Sequence, residues 1–496
     1  MVKKPFPFFP FLIAAFPVLS LMAYNRSETR LSVIIRPLLF CLLFSVVLLT
    51  VFFLIYRKRL PKAALLTGIT LILFFSYGHL YNLLESTGLV IRHRYIVIVF
   101  GLIFIGTAVL LFRNQVKAEF VKLLNISAII LIAMPILQLS WFYLGEAAAS
   151  SRLSKSQANE DGAGEEIITK PDVYYIILDM YASPDALLEE YDIDVTDFVS
   201  EMESLGFYYA SESQSNYNET FTSLSTSLNL QLIGEYVQEN SITSGSAVYQ
   251  DLLIHSEVRS FFESLDYQTV AFSTGYRWSE LSDADIFYEI KSTNPLSGLS
   301  PFETLLFKST MVYPFRGYLF ALIPDVDVEA DSALSMQSLH IETQRNILER
   351  LPEIAENKNA TFTFAHILIP HAPFVFDEDG SILEDPGYYS GEMSGAIDDF
   401  YELDGYTRQV KFISAQTLAI AEQILEESES LPIIVIQADH GWKAENRQEI
   451  LNLYFFPDQD YAVLYPSITP VNTFRVIFSQ YFGMDYELVE DRVIQN

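Results

Sequence analysis

LPIIVIQADHGW, residues Leu431–Trp442, is the stretch on which the reading of this chain turns. Its apolar run Leu431–Ile436, about six residues long, has the length and composition of a buried parallel strand. The run leads into Asp439-His440-Gly441. Open α/β sheets carry their chemistry at the carboxyl ends of their strands. A carboxylate beside an imidazole is a metal-binding pair of hard and borderline donors. An earlier run of the same kind, Val173–Leu178, closes on Asp179. Together they point to a metal-dependent α/β enzyme.

Outward from these strands, the composition splits. Of the 31 basic and 62 acidic residues, 14 basic and 4 acidic lie in 1–150, leaving 17 basic and 58 acidic in 151–496. The two parts carry +10 and −41, so they are two physical objects. The second is long enough for one large α/β domain with its own core. Its negative charge argues against nucleic acid as a partner. The single cysteine, Cys41, lies in the first part, so residues 151–496 have no disulfide, zinc–thiolate site or cysteine nucleophile.

Five apolar runs fill the first part: Phe6–Tyr24, Leu38–Tyr56, Ala63–Leu84, Tyr95–Phe112 and Leu123–Leu144. Each has the length of about 20 residues that spans a bilayer as a helix. Lys3, Lys4, Arg57, Lys58, Arg59, Lys62, Arg113, Lys117 and Lys122 fall on one side of the resulting layout; Arg26, Arg30, Arg36, Arg92 and Arg94 fall on the other. The excess of basic residues places the first side in the cytoplasm and the acidic part outside it. The expected plan is a five-helix transmembrane domain over 1–144, a small, polar, flexible linker over 145–170 and an extracytoplasmic domain over 171–496.

That last domain alternates strands and helices. Strands are expected at 173–178, 207–210, 269–273, 361–370, 431–437 and 451–456. Helices are expected at 195–205, 222–233, 248–265, 338–351, 400–427 and 471–482. The pattern implies a largely parallel central sheet covered by helices. Residues 377–398 read as an irregular, mobile insertion.

Three strand ends carry candidate groups: Asp179, His371, and Asp439 with His440. In a parallel sheet these ends share one edge. Two carboxylates and an imidazole form an incomplete shell around a divalent ion, and a hydroxyl completes it. Ser215–Asn229, SNYNETFTSLSTSLN, offers Thr220 at the foot of a helix, where unpaired N–H groups favour a phosphate. Taken singly each feature is ordinary. A strand-end Asp caps turns, a Ser/Thr-rich helix start is a cap, and His366 reads as a packed core histidine. His255 and His340 read as surface residues.

The order Asp179, Thr220, His371-Ala-Pro-Phe374 and Asp439-His440-Gly441 resembles the alkaline phosphatase/sulfatase superfamily. The nearest resemblance is to its membrane-anchored branch, with lipoteichoic acid synthases and phosphoethanolamine transferases. The strings YYIILDMY, SNYNETFTSLSTSLN, FAHILIPHAPFVFDEDG, VIQADHG and PSITPVNTFRVIFSQYFG carry it over most of 170–485. The resemblance implies an α-helical membrane domain followed by an alkaline-phosphatase-like domain. It makes Asp179, Asp439 and His440 metal ligands. Thr220 becomes ligand and nucleophile, and His371 a contact for phosphate or leaving group. His366 has no secure counterpart, and Arg447 is a possible anion contact. The Cys/Ser-x-Pro-x-Arg motif of formylglycine sulfatases is absent. Two-metal phosphatases add an Asp-x-x-x-His and a late His, but neither His366 nor His371 has an Asp four residues before it, and no His follows His440. The expectation is one divalent ion, Mn, Zn or Mg. The expected activity is a phosphotransferase or phosphodiesterase acting on a membrane lipid or envelope glycan at the outer face of the cytoplasmic membrane. The alternatives are a sulfatase or phosphomonoesterase, and a catalytically silent envelope scaffold.

Overall fold

The computed structural model describes residues 5–26, 29, 31–85, 92–157, 170–234, 246–276, 279–290, 300–315, 332–389, 399–443 and 447–494. The chain divides into two units. One comprises Met1–Gly145 and Ser292–Ser332, the other Glu146–Lys291 and Ala333–Asn496.

The first unit contains helices α1 (Phe9–Tyr24), α2 (Ile35–Ile55), α3 (Leu60–Glu85), α4 (His93–Arg113) and the start of α5 (Ala118–Gln157). Four segments are long and apolar enough to cross a membrane: Leu31–Ile55, Leu60–Leu84, His93–Arg113 and Ala118–Leu144. The fifth expected span is shorter. Helix α1 has 16 residues; at about 1.5 Å each it covers about 24 Å of a hydrocarbon core of about 30 Å. Leu39, Phe40, Leu43, Leu102, Ile130 and Leu137 are exposed, an apolar outer surface suited to lipid. Inside, the buried Asn125 side chain accepts from the N–H groups of Phe8 and Phe9 and donates to the Phe6 carbonyl. It thereby satisfies backbone groups at the start of α1 that have no helical partner.

In the sequence order of the second part come β1 (Val173–Leu178), α6 (Pro184–Tyr191), α7 (Thr196–Ser204), β2 (Tyr208–Tyr209), α8 (Thr220–Leu228), α9 (Ser246–Ile254), α10 (Glu257–Ser264), β3 (Gln268–Phe272) and β4 (Ile286–Tyr288). They are followed by α11 (Pro301–Lys308), which belongs to the first unit. Then come α12 (Ser332–Arg350), β5 (Thr361–Ile367), α13 (Asp399–Glu427), β6 (Ile433–Gln437), β7 (Asn452–Phe455) and α14 (Pro470–Tyr481). The strand order is β2-β7-β6-β1-β5-β3-β4. From β6 to β4 every pairing is parallel; β7 runs antiparallel to β6, and β2 antiparallel to β7. The sheet is mixed at one edge and parallel where the candidate strand ends lie.

Alternation along the central strands makes two cores. Tyr174, Ile176 and Leu178 of β1 pack on one face with Ile434 and Ile436 of β6 and with Val410 and Ile413 of α13. Val173, Tyr175 and Ile177 pack on the other face with Phe362 and Phe364 of β5, Leu224 and Leu228 of α8, Phe262 of α10 and Phe474 of α14. The period of two carries Asp179, Asp439 and His366 onto this second face, where α8 lies.

Helices α6 and α11 and strand β4 were not expected, and three further segments differ from expectation. The helix expected over 248–265 is two, because Ser256 breaks it and caps α10 by accepting from the Arg259 N–H. The expected linker is helical through Gln157, where α5 ends, and residues 158–169 lie outside the described residues. The expected mobile insertion is folded as far as Tyr389. Phe376 bridges Ile382, Arg408 of α13 pairs with Asp377, and the Tyr388 hydroxyl donates to Asp404. Residues 390–398 lie outside the described residues.

Candidate active site

The strand register brings the first carboxylates together. Ile177 of β1 stands opposite Gln437 of β6 and opposite His366 of β5. Two residues beyond this line the chain reaches Asp179 and Asp439. Both are buried, as is His440. One ligand atom from each of Asp179, Asp439 and His440 lies within 4.8 Å of the others. The Met180 N–H donates to Asp439 Oδ1 at 3.0 Å, and the His440 N–H to the same oxygen at 2.9 Å. Asp179 Oδ1 and Asp439 Oδ2 are buried without a hydrogen-bond partner among the described residues. Two buried carboxylates so close together, each with an unsatisfied oxygen, are a costly arrangement in an interior. A divalent cation removes that cost, and an O, O, N donor set suits Zn or Mn. The residues present therefore fit a metal.

Asp179 is held ionised. Burial alone raises its pKa, but the charge of His371, the hydrogen bond and charge of His366 and the charge of His440 outweigh burial. They leave the carboxyl well below its usual range. His366 Nε2 lies 3.4 Å from Asp179 Oδ2. His366 is thus buried at the site rather than in an apolar core. The turn after Asp179 is braced as well. Met180 adopts a positive φ of 68°, unusual for a residue with a side chain. Its carbonyl accepts from the Tyr406 hydroxyl at 2.9 Å. Tyr406 in turn stacks on Trp442 with centroids 3.9 Å apart, which ties α13 to the chain just past Asp439-His440-Gly441.

Helix α8 begins at Thr220 itself, two residues before the expected start. Thr220 Oγ1 lies 3.4 Å from His440 Nε2. The neighbouring hydroxyls are committed elsewhere. Thr222 donates to the Glu219 carbonyl, Ser223 to the Asp439 carbonyl at 2.6 Å and Ser225 to the Tyr249 carbonyl. The Ser223 bond fastens the first turn of α8 to the end of β6. The helix N-terminus carries no side-chain cap, so its first N–H groups are open to an anion.

Arg447 returns to the cluster. Its Nε donates to the Asn218 carbonyl at 2.8 Å, and Nη2 lies 3.5 Å from His440 Nε2. His371 is half-buried, its Nδ1 2.5 Å from the Ala372 carbonyl. The buried Gln409 of α13 holds its loop, donating to the Pro370 and His371 carbonyls and accepting from the Val375 and Phe376 N–H groups.

His340 is half-buried rather than fully on the surface. Its Nε2 is buried without a hydrogen-bond partner among the described residues. Burial, with the charge of His371 and against that of Asp179, pushes its pKa down to about 4. One turn along α12, Gln344 accepts from the Leu368 N–H, in the chain between His366 and His371. The spacing Gln337, His340, Ile341, Gln344, Ile347, Leu348, Leu351 is a helix face, and it marks His340 as inward-facing. His255 is exposed beside Asp251, as expected.

No protein-family model matches the chain, and no curated protein matches it. Solved structures similar to it include the C-terminal periplasmic domain of EcEptC from Escherichia coli in complex with Zn, at 10% identity over 66% of this chain and 85% of that one, TM-score 0.41. They include that of the phosphoethanolamine transferase EptC from Campylobacter jejuni, at 11% identity over 66% and 96%, TM-score 0.37. The lipoteichoic acid synthase LtaP from Listeria monocytogenes is similar at 12% identity over 66% and 75%, TM-score 0.40.

Proposed function

We propose that this chain is an integral membrane phosphotransferase or phosphodiesterase of the alkaline phosphatase/sulfatase superfamily. Its substrate is a lipid or envelope-glycan phosphoester at the outer face of the cytoplasmic membrane. One observation carries the reading: Asp179, Asp439 and His440 converge within 4.8 Å, with the one uncommitted hydroxyl of the α8 start, Thr220, against His440. Asp179, Asp439, His440 and Thr220 would hold one divalent ion, which supplies Lewis-acid stabilisation of phosphoryl oxygen charge. Thr220 Oγ attacks phosphorus and forms a phosphothreonine, releasing the first alcohol. The α8 N–H groups and Arg447 bind the phosphoryl oxygens. His371 orients the phosphate or protonates the leaving oxygen. A second alcohol or water then displaces Thr220. His366 keeps Asp179 ionised and in place.

The test is turnover by the purified full-length chain with Mn, Zn or Mg. The substrates are phosphodiester, phosphomonoester and sulfate-ester reporters. Metal-dependent cleavage of the diester is expected, abolished by a chelator and restored by adding the ion back. Turnover of sulfate esters alone would replace this reading with a sulfatase. Binding of metal without turnover of any reporter would favour a silent scaffold.

The location is a separate prediction. We take the short α1 as a fifth span. The placement of the outer unit does not depend on it, because Arg57, Lys58, Arg59, Lys62, Arg113, Lys117 and Lys122 lie at the same ends of α2–α5. A reporter fused at residue 160 is expected to be active only if it is of the extracytoplasmic kind. Activity of a cytoplasm-only reporter there would overturn the orientation.

A further inference from the structure

Residues 300–315 lie deep in the acidic part of the sequence, yet they belong to the first, helical unit. Ser300 and Glu303 close a capping box at the start of α11, with Pro301 in its first turn. Phe302 and Leu306 are buried in a cluster with Val18 and Met22 of α1, Cys41 of α2 and Leu71 of α3. Glu303, itself buried, forms a two-pronged ion pair with Arg36 of α2, Nε to Oε1 at 2.5 Å and Nη2 to Oε2. Met311 packs against Tyr77, Ile96 and Phe100 of α3 and α4. Both ends of one rung of α3 bond to the segment. The Met311 N–H donates to the Phe74 carbonyl, and the Gly78 N–H donates to the Ser309 carbonyl, each at 2.9 Å.

Gly78 explains how the backbones come so close. A Cβ at this position would lie 2.4 Å from the Lys308 carbonyl oxygen and 2.7 Å from Ser309 Cα. These are backbone atoms and cannot swing aside. A glycine inside a helix is less stable than an alanine, and the close approach of the segment accounts for it here.

We infer that residues 300–315 are a second, non-covalent membrane anchor of the outer unit, seated on α1–α4 through Gly78 and the Arg36–Glu303 pair. The inference rests on reading the helical unit as membrane-embedded. The chain leaves the outer unit after β4, is fixed to the helical unit, and returns to begin α12. The outer unit is therefore leashed at three points of its sequence: after α5, after β4 and before α12. A catalytic unit leashed in this way serves substrates that stay in the bilayer, which deepens the proposed function.

The test is physical and needs no turnover. A protease site is introduced at residue 160 of the full-length chain, and washed membranes are treated with the protease. The wild-type outer fragment is expected to stay with the membranes through a high-salt wash, although its covalent link to α5 is gone. With Gly78→Leu, the uncut chain still pellets with membranes but the cut fragment moves to the supernatant. Arg36→Glu is expected to release the fragment too, and the double change Arg36→Glu/Glu303→Arg to retain it, which guards against a Gly78 variant that fails to fold. Release of the wild-type fragment on cutting overturns the inference, and so does retention in every variant. Loss of the uncut wild-type chain from the membrane would instead overturn the membrane reading on which it rests.

Discussion

Thr220→Ala is expected to lower turnover on the order of 10⁴-fold or more, the scale on which removal of an enzyme nucleophile acts. Folding should be unaffected. Thr220 starts α8 without capping it, and the hydroxyls that fasten the helix belong to Ser223 and Ser225. Those same bonds remove the rival nucleophiles. Thr220→Ser should keep measurable activity because the hydroxyl remains. Acid quench during turnover, followed by peptide mass spectrometry, should find phosphate on Thr220 in the wild type. Near-wild-type turnover by Thr220→Ala with metal bound would sink the covalent route and leave direct attack by water.

Asp439→Asn is expected to lower metal affinity by about 100-fold or more, since loss of an outer-sphere partner alone costs about 10–100-fold. Activity should fall with it. The substitution is nearly isosteric, and an amide oxygen can still accept from the Met180 and His440 N–H groups that now bond to Oδ1. It removes one of two buried carboxylates that lie within 4.8 Å of a shared imidazole. The sign of its stability effect therefore depends on the ion. Without metal the variant should melt at or above the wild-type temperature, because like charges no longer face each other. With metal the wild type should gain stability by mass action and the variant should not. Equal metal-induced shifts in the two proteins would rule Asp439 out as a ligand.

The central strands and the convergence of their ends were legible because a buried parallel strand writes itself as an unbroken apolar run. Asp179 and Asp439 are the first acidic residues after two such runs. The antiparallel course of β7 was not legible. Leu451–Phe456 is equally apolar whichever way it runs, and direction is set by partners. His366 shares its face with Phe362 and Phe364, as alternation requires. Its nearness to Asp179 follows from β5 lying next to β1, a matter of strand order that local pattern does not encode. His340 was within reach, since helical spacing with Gln344 and Ile347 marks it as inward. The seat of residues 300–315 left no periodic trace, because the 8 residues of α11, about two helical turns, are too short to show one. Helix α5 outran its apolar stretch because GEAAASSRLSKSQ has no proline and carries three alanines among single Glu, Arg, Leu, Lys and Gln residues, good helix formers whatever their polarity.

The sheet's order also sets a timetable. β1 is the first strand to be synthesised, and it lies between β5 and β6. Asp172, at its start, waits for Thr361, 189 residues later, and Met180, at its end, waits for Asp439, 259 residues later. At roughly 5–20 residues per second that delay is on the order of 10–50 s. For an exported domain, we expect β1 to arrive outside and stay unpaired for that whole interval, as long-range parallel pairing requires. If the domain is exported, the pocket of Asp179, Asp439 and His440 would come into being only after most of that domain has crossed. Its ion would be drawn from the surroundings outside the membrane rather than from the cytoplasm, and the metal supply of that compartment would decide which ion the finished protein carries.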